Sequence, residues 1–418
     1  MYAQIEPETN EPTESHLNTP EKAWITIPVS PACSSVEPIV VRRFGAGHAP
    51  VYDAWRTIRI TGVKTDMNPL EHKLTYPLGT ELPEPGRSIE LAPGVRWIKM
   101  PLPFALDHIN LWLLKDRIDG QDGWTIVDCG ITRDEVKELW EQVFANELEG
   151  LPVLRVIVTH MHPDHVGLAH WLCERWNVPL WMSMTDYITA CFWTTNVGGS
   201  ANGGQATVDH FSSHGLRVAE TLEGIRERKS YYVGMVPRVP SRFVRILNGH
   251  QINIGGHLWE AIVGYGHSPE HMSLYCADKK VLISGDMVLP RISTNVSVPN
   301  YEPEANPLQL YLDSLDHYKP LAADTLVLPS HGRPFRGLHE RIAQQHQHHQ
   351  ERFEEVLEAC KTPMSAFDIL PVMFKRKLDT HQTTFAMGEA IAHLNALYFS
   401  GKLSRTLSPD GIYLFETL

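Results

Sequence analysis

The 418-residue sequence contains no run near the ~20 consecutive apolar residues that a membrane-spanning helix requires. Its first residues lack the basic and then apolar order of a secretory signal. Its six cysteines are scattered without a Cys-x-x-Cys pair, which excludes a dense disulfide framework in a chain of this length. We therefore expect a cytoplasmic protein with reduced thiols and no membrane contact.

An excess of positive charge is also missing, because 37 Lys and Arg face 49 Asp and Glu, giving a formal net charge of −12. Proteins that bind nucleic acids or anionic membranes usually carry a broad excess of Lys and Arg. A small-molecule substrate is therefore the expected partner and nucleic acid is not, while self-association into a homo-oligomer is left open. The 43% content of hydrophobic residues is enough for two or three packed domains.

The chain divides into segments of different composition. Residues 1–40 are rich in proline and glutamate and have no sustained period, which predicts a flexible N-terminal lead-in. Residues 41–337 are predicted to form the main domain, in which 186–250 is a long, irregular insert of the kind that often covers a site. Residues 338–418 begin with a long polar helix and continue with shorter elements.

Strands and helices alternate along the main domain. Short β-rich runs bounded by Gly, Pro or Asp predict strands at 95–100, 109–114, 124–127, 154–159, 179–182, 258–266, 272–277, 280–284 and 325–329. Helices are predicted at 133–146, 166–176, 307–318, 338–360, 365–378 and 382–400. The segments 402–407 and 412–416 flank a Ser-Pro-Asp-Gly turn and predict a hairpin. The alternation favours a layered α/β fold, and the order helix, helix, hairpin is that of a small winged-helix unit.

A cluster of histidine and aspartate directly follows the run 154–159. Residues two apart on an extended segment point the same way, so His160 and His162 can present their imidazoles to one metal ion. A proline then begins a turn that swings Asp164 and His165 toward a second position. Such clusters are the usual signature of a metal site, although His-x-His alone is often incidental.

Three further candidates each follow a predicted strand. They are His267, Asp286 and His331. Strand ends at one edge of a sandwich converge in space, so these residues can meet the cluster despite their separation in sequence. Taken singly, Asp286 also reads as a turn aspartate and His331 as a solvated loop histidine.

In this order, the cluster and the three later residues resemble the signature of the metallo-β-lactamase superfamily, with every ligand position filled. The resemblance covers about residues 94–335 and implies a four-layered αββα sandwich that makes 41–337 the catalytic domain. It also implies that Asp128 is the early structural aspartate that supports the metal loop. The tail resembles the winged-helix domain of glyoxalase II-like and lactamase-beta-like hydrolases, in its layout and in phrases such as His393-Leu394-Asn395.

The resemblance implies two divalent metal ions and a ligand set for each. The first set would be His160, His162 and His267, the second would be Asp164, His165 and His331, and Asp286 would bridge the two ions. Asp164 and Asp286 are thus the expected catalytic carboxylates. Zinc suits the imidazole-rich set, while the carboxylates also tolerate iron or manganese. His271 is expected either to support a ligand imidazole by a hydrogen bond or to be an ordinary core-edge or surface histidine.

The function that the resemblance implies is hydrolysis by a hydroxide held between two metal ions. A small acyl substrate, either a thioester as in glyoxalase II or a lactone, is the first expectation. Cleavage of RNA is the alternative, because relatives with this tail include a nuclease. The tail from Pro363 to Leu418 has five Lys or Arg and five Asp or Glu, which does not favour nucleic acid. Antibiotic hydrolysis fits poorly, because one lactamase subclass has cysteine where this chain has Asp286.

The insert also contains a cluster of basic and aromatic residues, made of Arg226, Arg228, Lys229, Tyr231 and Tyr232. These side chains can clamp phosphates or carboxylates of an acyl carrier. The alternative is a solvated helix face in which Glu223 and Glu227 pair with the basic residues. Both interpretations stay open, and the substrate-binding residues are not assigned.

Overall fold

A computed structural model of the protein describes residues 68–104, 106–195, 203–228 and 231–418. The predicted lead-in over residues 1–40 lies outside this range. Within it, no helix combines the length and the apolar character that crossing a bilayer would require. The described cysteines, which are all but Cys33, are free thiols.

A seven-stranded sheet forms one half of the fold. Its strands are β1 (Ser88–Ala92), β2 (Val95–Pro101), β3 (His108–Ile118), β4 (Gln121–Val127), β5 (Val153–Ile157), β6 (Leu180–Met182) and β7 (Phe243–Arg245). They follow their chain order, with antiparallel pairing from β1 to β4 and parallel pairing from β4 to β7. The interior strand β3 is buried on both faces over residues 109–114, which explains its continuous apolar run there.

A five-stranded sheet forms the other half. Its strands are β8 (Gln251–Ile254), β9 (His257–Gly264), β10 (His271–Cys276), β11 (Val281–Gly285) and β12 (Leu326–Pro329). Their spatial order is β12-β11-β10-β9-β8, and only β11 and β12 pair in parallel.

Eleven α-helices accompany the sheets in the described ranges. They are α1 (Asp134–Asn146), α2 (Pro163–Val166), α3 (Ala169–Trp176), α4 (Met184–Thr194), α5 (Gly204–Ser213), α6 (Ala219–Glu227), α7 (Tyr231–Met235), α8 (Pro307–Leu315), α9 (Leu338–Ala359), α10 (Ala366–Met373) and α11 (Thr380–Phe399). The hairpin β13 (Leu403–Leu407) and β14 (Tyr413–Thr417) ends the chain.

The two sheets pack face to face around a core of large apolar side chains. Trp97 and Trp112 of the first sheet meet Trp259 and Leu274 of the second, and all four are buried. Helices α1 and α3 cover the outer face of the first sheet, whereas α8 and α9 cover that of the second. This arrangement confirms the predicted four-layered αββα sandwich.

The C-terminal helices share a hydrophobic core with the second sheet. Ile391 of α11 and Ile369 of α10 belong to the same buried cluster as Tyr311 of α8, Ile342 of α9 and Leu282 of β11. The order α10, α11, hairpin agrees with the predicted elements, while the winged-helix assignment stays a prediction.

Some predicted elements were incomplete. The short strands β1, β7 and β8 were missed, and the insert predicted as irregular forms the four helices α4 to α7 and β7. The predicted helix 166–176 is interrupted at Gly167, where a Cβ would lie 2.4 Å from the carbonyl oxygen of Pro163. The predicted helix 365–378 ends at Met373, because Phe374 is in an extended conformation and Asp379 caps the next helix.

Candidate metal centre

The seven predicted ligands lie at one edge of the sandwich. Four of them follow strand ends: His160 follows β5, His267 follows β9, Asp286 follows β11 and His331 follows β12. The other three lie at the start of α2 or within it. The structure brings all seven together in two groups of donor atoms, the first with His160, His162, His267 and Asp286 and the second with Asp164, His165 and His331.

The first group converges on one point. His162 Nδ1 lies 2.9 Å from His160 Nε2 and 3.1 Å from His267 Nε2, and the latter two nitrogens are 3.2 Å apart. Asp286 Oδ2 lies 3.2 Å from His267 Nε2 and 3.9 Å from His160 Nε2. Three imidazole nitrogens and one carboxylate oxygen therefore face a common position.

The second group faces the other oxygen of the same carboxylate. Asp286 Oδ1 lies 3.6 Å from both His165 Nε2 and His331 Nε2. Asp164 Oδ2 lies 3.7 Å from His165 Nε2 and 3.4 Å from His331 Nε2. The two oxygens of Asp286 thus point to different groups, which is the arrangement that a bridging ligand needs.

The donor set fits metal ions better than it fits a hydrogen-bonded core. A tetrahedral ion with bonds of 2.0–2.1 Å to nitrogen sets the nitrogens about 3.3 Å apart, close to the spacing in the first group. In the second group, His165 Nε2 and Asp286 Oδ1 are buried without a hydrogen-bond partner. Buried polar atoms are normally satisfied, so these two atoms indicate a position for a ligand.

The opposite nitrogens of three imidazoles are held by hydrogen bonds. His267 Nδ1 donates to the carbonyl oxygen of Asn295 at 2.8 Å, and His331 Nδ1 donates to that of His108 at 2.9 Å. His165 Nδ1 lies 2.8 Å from Asp128 Oδ2. These contacts orient each ring and leave its Nε2 for the centre, as metal-binding histidines require.

Asp128 supports the metal loop, as the resemblance implied. It follows β4 in the left-handed conformation, with φ of 62°. Its carboxylate accepts hydrogen bonds from the backbone N–H of Thr159 at 2.8 Å and from the Thr159 hydroxyl at 2.9 Å. Both residues are fully buried. One carboxylate therefore fixes the residue before His160 and the ring of His165 together.

His271 is a buried support for Asp286, so its interpretation as a surface histidine was wrong. The backbone N–H of Asp286 donates to His271 Nε2 at 3.1 Å. His271 therefore supports the backbone of Asp286, whereas the expected partner was the imidazole of another candidate ligand. Gly285 has a φ of +54°, and a Cβ there would lie 2.2 Å from His271 Nε2. Glycine is therefore required before Asp286.

The electrostatics of the centre suit cation binding. Burial lowers the pKa of His162 to about 3, so this imidazole is neutral and able to coordinate. Burial would raise the pKa of Asp164, but His165 and His331 outweigh it and lower the pKa to about 2. Burial also opposes protonation of His331, yet Asp286 and Asp164 raise its pKa to about 10. The carboxylates of Asp164 and Asp286 therefore favour a positive charge in the second group.

The insert contacts the metal loop through Tyr232 and Asp186. The Tyr232 hydroxyl donates to the carbonyl oxygen of Met161 at 2.6 Å. The Asp186 carboxylate accepts from the backbone N–H groups of Met161 at 2.8 Å and Glu270 at 2.6 Å. Asp186 therefore ties the loop of His160 and His162 to the loop of His267.

The other basic residues of the insert have protein partners. Arg226 contacts Glu223 and Gln205 on an exposed face, as expected for a solvated helix surface. Arg228 contacts His381 and Thr384 of α11. Lys229 and the side chain of Tyr231 lie outside the described residues.

Sequence reasoning did not assign roles to several supporting residues. Asn295 and His108 act through backbone carbonyl groups, which leave no side-chain pattern in a sequence. Asp186 occupies the first turn of α4, where aspartate is favoured for helical reasons alone. Thr159 was visible beside His160, but its contact with Asp128 needs the fold.

The sandwich and this cluster agree with the comparisons to known proteins. The profile of the metallo-beta-lactamase superfamily matches residues 106–331, more than half of the chain. The profile of the metallo-beta-lactamase-like C-terminal domain matches residues 353–418. The chain therefore belongs to the metallo-beta-lactamase superfamily, a class of metal-dependent hydrolases.

Particular relatives cover most of the chain. It is similar to a beta-lactamase domain protein from Burkholderia ambifaria, with 55% identity, a TM-score of 0.79, and coverage of 84% of this chain and 99% of that structure. A metallo-beta-lactamase family protein from Thermus thermophilus has 26% identity, a TM-score of 0.65, and coverage of 79% and 100% respectively. The probable metallo-hydrolase YqjP of Bacillus subtilis (strain 168) is 25% identical over 333 residues, which are 77% of this chain and 97% of the relative.

The support from Asp128 can be tested by substitution. We expect Asp128→Asn to lower metal affinity about 10- to 100-fold, because the amide nitrogen cannot accept a hydrogen bond and the ring of His165 loses its charged partner. Competition with a chromophoric chelator measures this affinity. Asp122→Asn, at an exposed position of the same strand β4, is the matched control and should bind metal normally. Unchanged affinity in Asp128→Asn would show that Asp128 does not orient the centre.

Proposed function

We propose that this protein hydrolyses a small acyl substrate, a thioester or a lactone, with two divalent metal ions. The observation that carries the proposal is the orientation of the Asp286 carboxylate. Its Oδ2 faces the first group of ligands and its Oδ1 faces the second. A mononuclear structural site would need only one closed set of four ligands.

The ligand assignment follows the two groups. His160, His162 and His267 would hold the first ion, Asp164, His165 and His331 would hold the second, and the Asp286 carboxylate would serve both. Zinc suits this imidazole-rich set, and iron and manganese are compatible with its carboxylates. When bound, such a pair of ions lowers the pKa of coordinated water to about 7 and polarises the bond under attack.

The protein sets the charge of the centre through its carboxylates and the orientation of the imidazole rings through hydrogen bonds. Asp164 is ionised at neutral pH, since its pKa is about 2, and with Asp286 it supplies the negative charge of the centre. Hydrogen bonds to Asp128, Asn295 and His108 fix three rings before substrate arrives. Such preorganisation lowers the cost of reaching the transition state.

We assign catalysis to residues 41–337 and a supporting role to 338–418. The profile of the catalytic domain ends at residue 331 and that of the C-terminal domain begins at residue 353, so this boundary falls between them. We place the protein in the cytoplasm, a reducing compartment, in agreement with the free thiols of its described cysteines.

Cleavage of RNA is the second candidate, favoured by one surface feature. Lys375, Arg376 and Lys377 are adjacent and exposed between α10 and α11. A phosphodiester could contact such a run. Small acyl substrates remain favoured, because the segment from Pro363 to Leu418 is neutral as a whole. These three residues are three of its five Lys and Arg, so the segment has no broad basic face.

The experiment compares substrate classes with one preparation. Protein loaded with zinc is given a thioester, a γ-lactone and a single-stranded RNA oligonucleotide at moderate salt. We expect turnover of the thioester or the lactone that a chelator abolishes and zinc restores, with no inhibition by the RNA. Faster cleavage of the RNA than of either ester, with an affinity that falls steeply as salt rises, would favour the nuclease.

A further inference from the structure

Three aromatic side chains form a connected group beside the first set of ligands. The ring of Trp193, at the end of α4, lies edge-on to Tyr232, with centroids 5.1 Å apart. The ring of Trp193 also faces that of Tyr301, with centroids 6.3 Å apart. Tyr301 lies on the segment 290–306 between β11 and α8. Tyr232 is buried, whereas Tyr301 is 50% exposed and Trp193 is partly exposed. The group therefore presents an apolar face to solvent.

This aromatic group is linked to the metal centre through two backbone carbonyl groups. Tyr232 donates to the carbonyl oxygen of Met161, the residue between His160 and His162, at 2.6 Å. The segment that carries Tyr301 also carries Asn295, whose carbonyl oxygen accepts from His267 Nδ1 at 2.8 Å. Tyr232 and the segment of Tyr301 thus contact the loop of His160 and His162 and the ring of His267.

The segment that carries Tyr301 is fixed on both sides of the ring. The Asn395 side chain of α11 donates to the carbonyl oxygens of Pro303 at 3.2 Å and Ala305 at 2.9 Å. The backbone N–H of Val298 donates to the carbonyl oxygen of Gly388, also on α11, at 3.2 Å. Tyr301 is therefore held in position by the C-terminal helix.

We propose that Trp193 and Tyr301 form the wall that binds the acyl group of the substrate, and that this acyl group is bulky and apolar. The inference rests on the proposed function and narrows its substrate class. Aromatic rings supply a large apolar area at little entropic cost, so they favour a bulky apolar group that they can cover. Neither ring carries a charge, so the wall does not favour a carboxylate-bearing or phosphate-bearing acyl group.

The test measures kcat/KM for two thioesters of one thiol, S-phenylacetyl and S-acetyl N-acetylcysteamine. We expect the metal-loaded protein to prefer the phenylacetyl ester by about tenfold or more. Tyr301→Ala should lower kcat/KM for the phenylacetyl ester about tenfold, with little change for the acetyl ester and the same metal content. Trp193→Ala should act in the same direction, and Tyr301→Phe should keep the preference.

Phe399→Ala removes an exposed aromatic ring at the end of α11 and is the matched control, which should keep the preference. An equal loss for both esters in Tyr301→Ala, or no preference in the unmodified protein, overturns the acyl wall while leaving the hydrolase intact. Absence of turnover for both these thioesters and lactones by protein that binds two ions overturns the proposed function itself.

Discussion

We expect Asp286→Asn to lower the hydrolytic rate by about three orders of magnitude or more and to deplete metal from both groups. Each oxygen of this carboxylate faces a different group, so one substitution removes a negative charge from two positions at once. Elemental analysis should find about two ions per chain in the unmodified protein and fewer in the variant. The fold should survive, because Asp286 follows β11 and its backbone N–H keeps the contact with His271.

The control for this substitution is Asp324→Asn. Asp324 is an exposed carboxylate paired with Lys280, so its replacement changes the net charge equally without touching the centre. It should keep the metal content and the rate. Near-normal turnover by Asp286→Asn, with circular dichroism unchanged, would refute the bridging role.

The second large effect is expected on stability, at the buried ion pair of Asp116 and Arg155. Asp116 Oδ2 accepts from Arg155 Nε at 3.0 Å and Nη2 at 2.7 Å, and both side chains are nearly inaccessible to solvent. Asp116 Oδ1 also accepts from the backbone N–H of Gly255, which links the two sheets. We expect Asp116→Ala to lower the free energy of unfolding by about 3–5 kcal/mol, because the guanidinium remains buried without its partner.

Denaturant unfolding of the metal-free protein measures this effect without a contribution from metal affinity. Asp122→Ala, on the same β3–β4 hairpin and exposed, should leave the midpoint unchanged. The double variant Asp116→Leu with Arg155→Met should recover much of the lost stability, since it removes both charges. A midpoint for Asp116→Ala equal to that of the unmodified protein would show that the pair is not coupled to folding.

The seven candidate ligands could be recognised in the sequence because the features that mark them are local. His160 and His162 need only an extended segment, and Asp164 and His165 need only the turn that a proline starts. His267, Asp286 and His331 follow strands whose apolar runs stand out, since β11, β12 and the last four residues of β9 are buried. Residue type and strand ends therefore indicated the seven candidates, while the resemblance implied their division into two ligand sets.

The supports of the centre and the edges of the fold were not predictable in this way. Contacts such as His267 with the carbonyl oxygen of Asn295 depend on a backbone conformation that no side chain encodes. The strand β7 has three residues and gains its pairing only from β6. The insert lacks long periodic runs. Its short helices pack in the pairs α5 with α6 and α4 with α7, and α6 and α7 also contact α11 and α2 respectively. Helices of this length depend on such packing for their stability.

The ligand groups draw on both halves of the sandwich. His160 and the residues of α2 follow the first sheet, whereas His267, Asp286 and His331 follow strands of the second. Any ion held by these groups is thus a cross-link between the sheets at their open edge. Because it binds only the assembled edge, each ion adds about 2.7 kcal/mol to the folded state when its free concentration is 100 times its Kd. Bound metal therefore also stabilises the contact between the two sheets, and loss of metal weakens the scaffold that positions the candidate ligands.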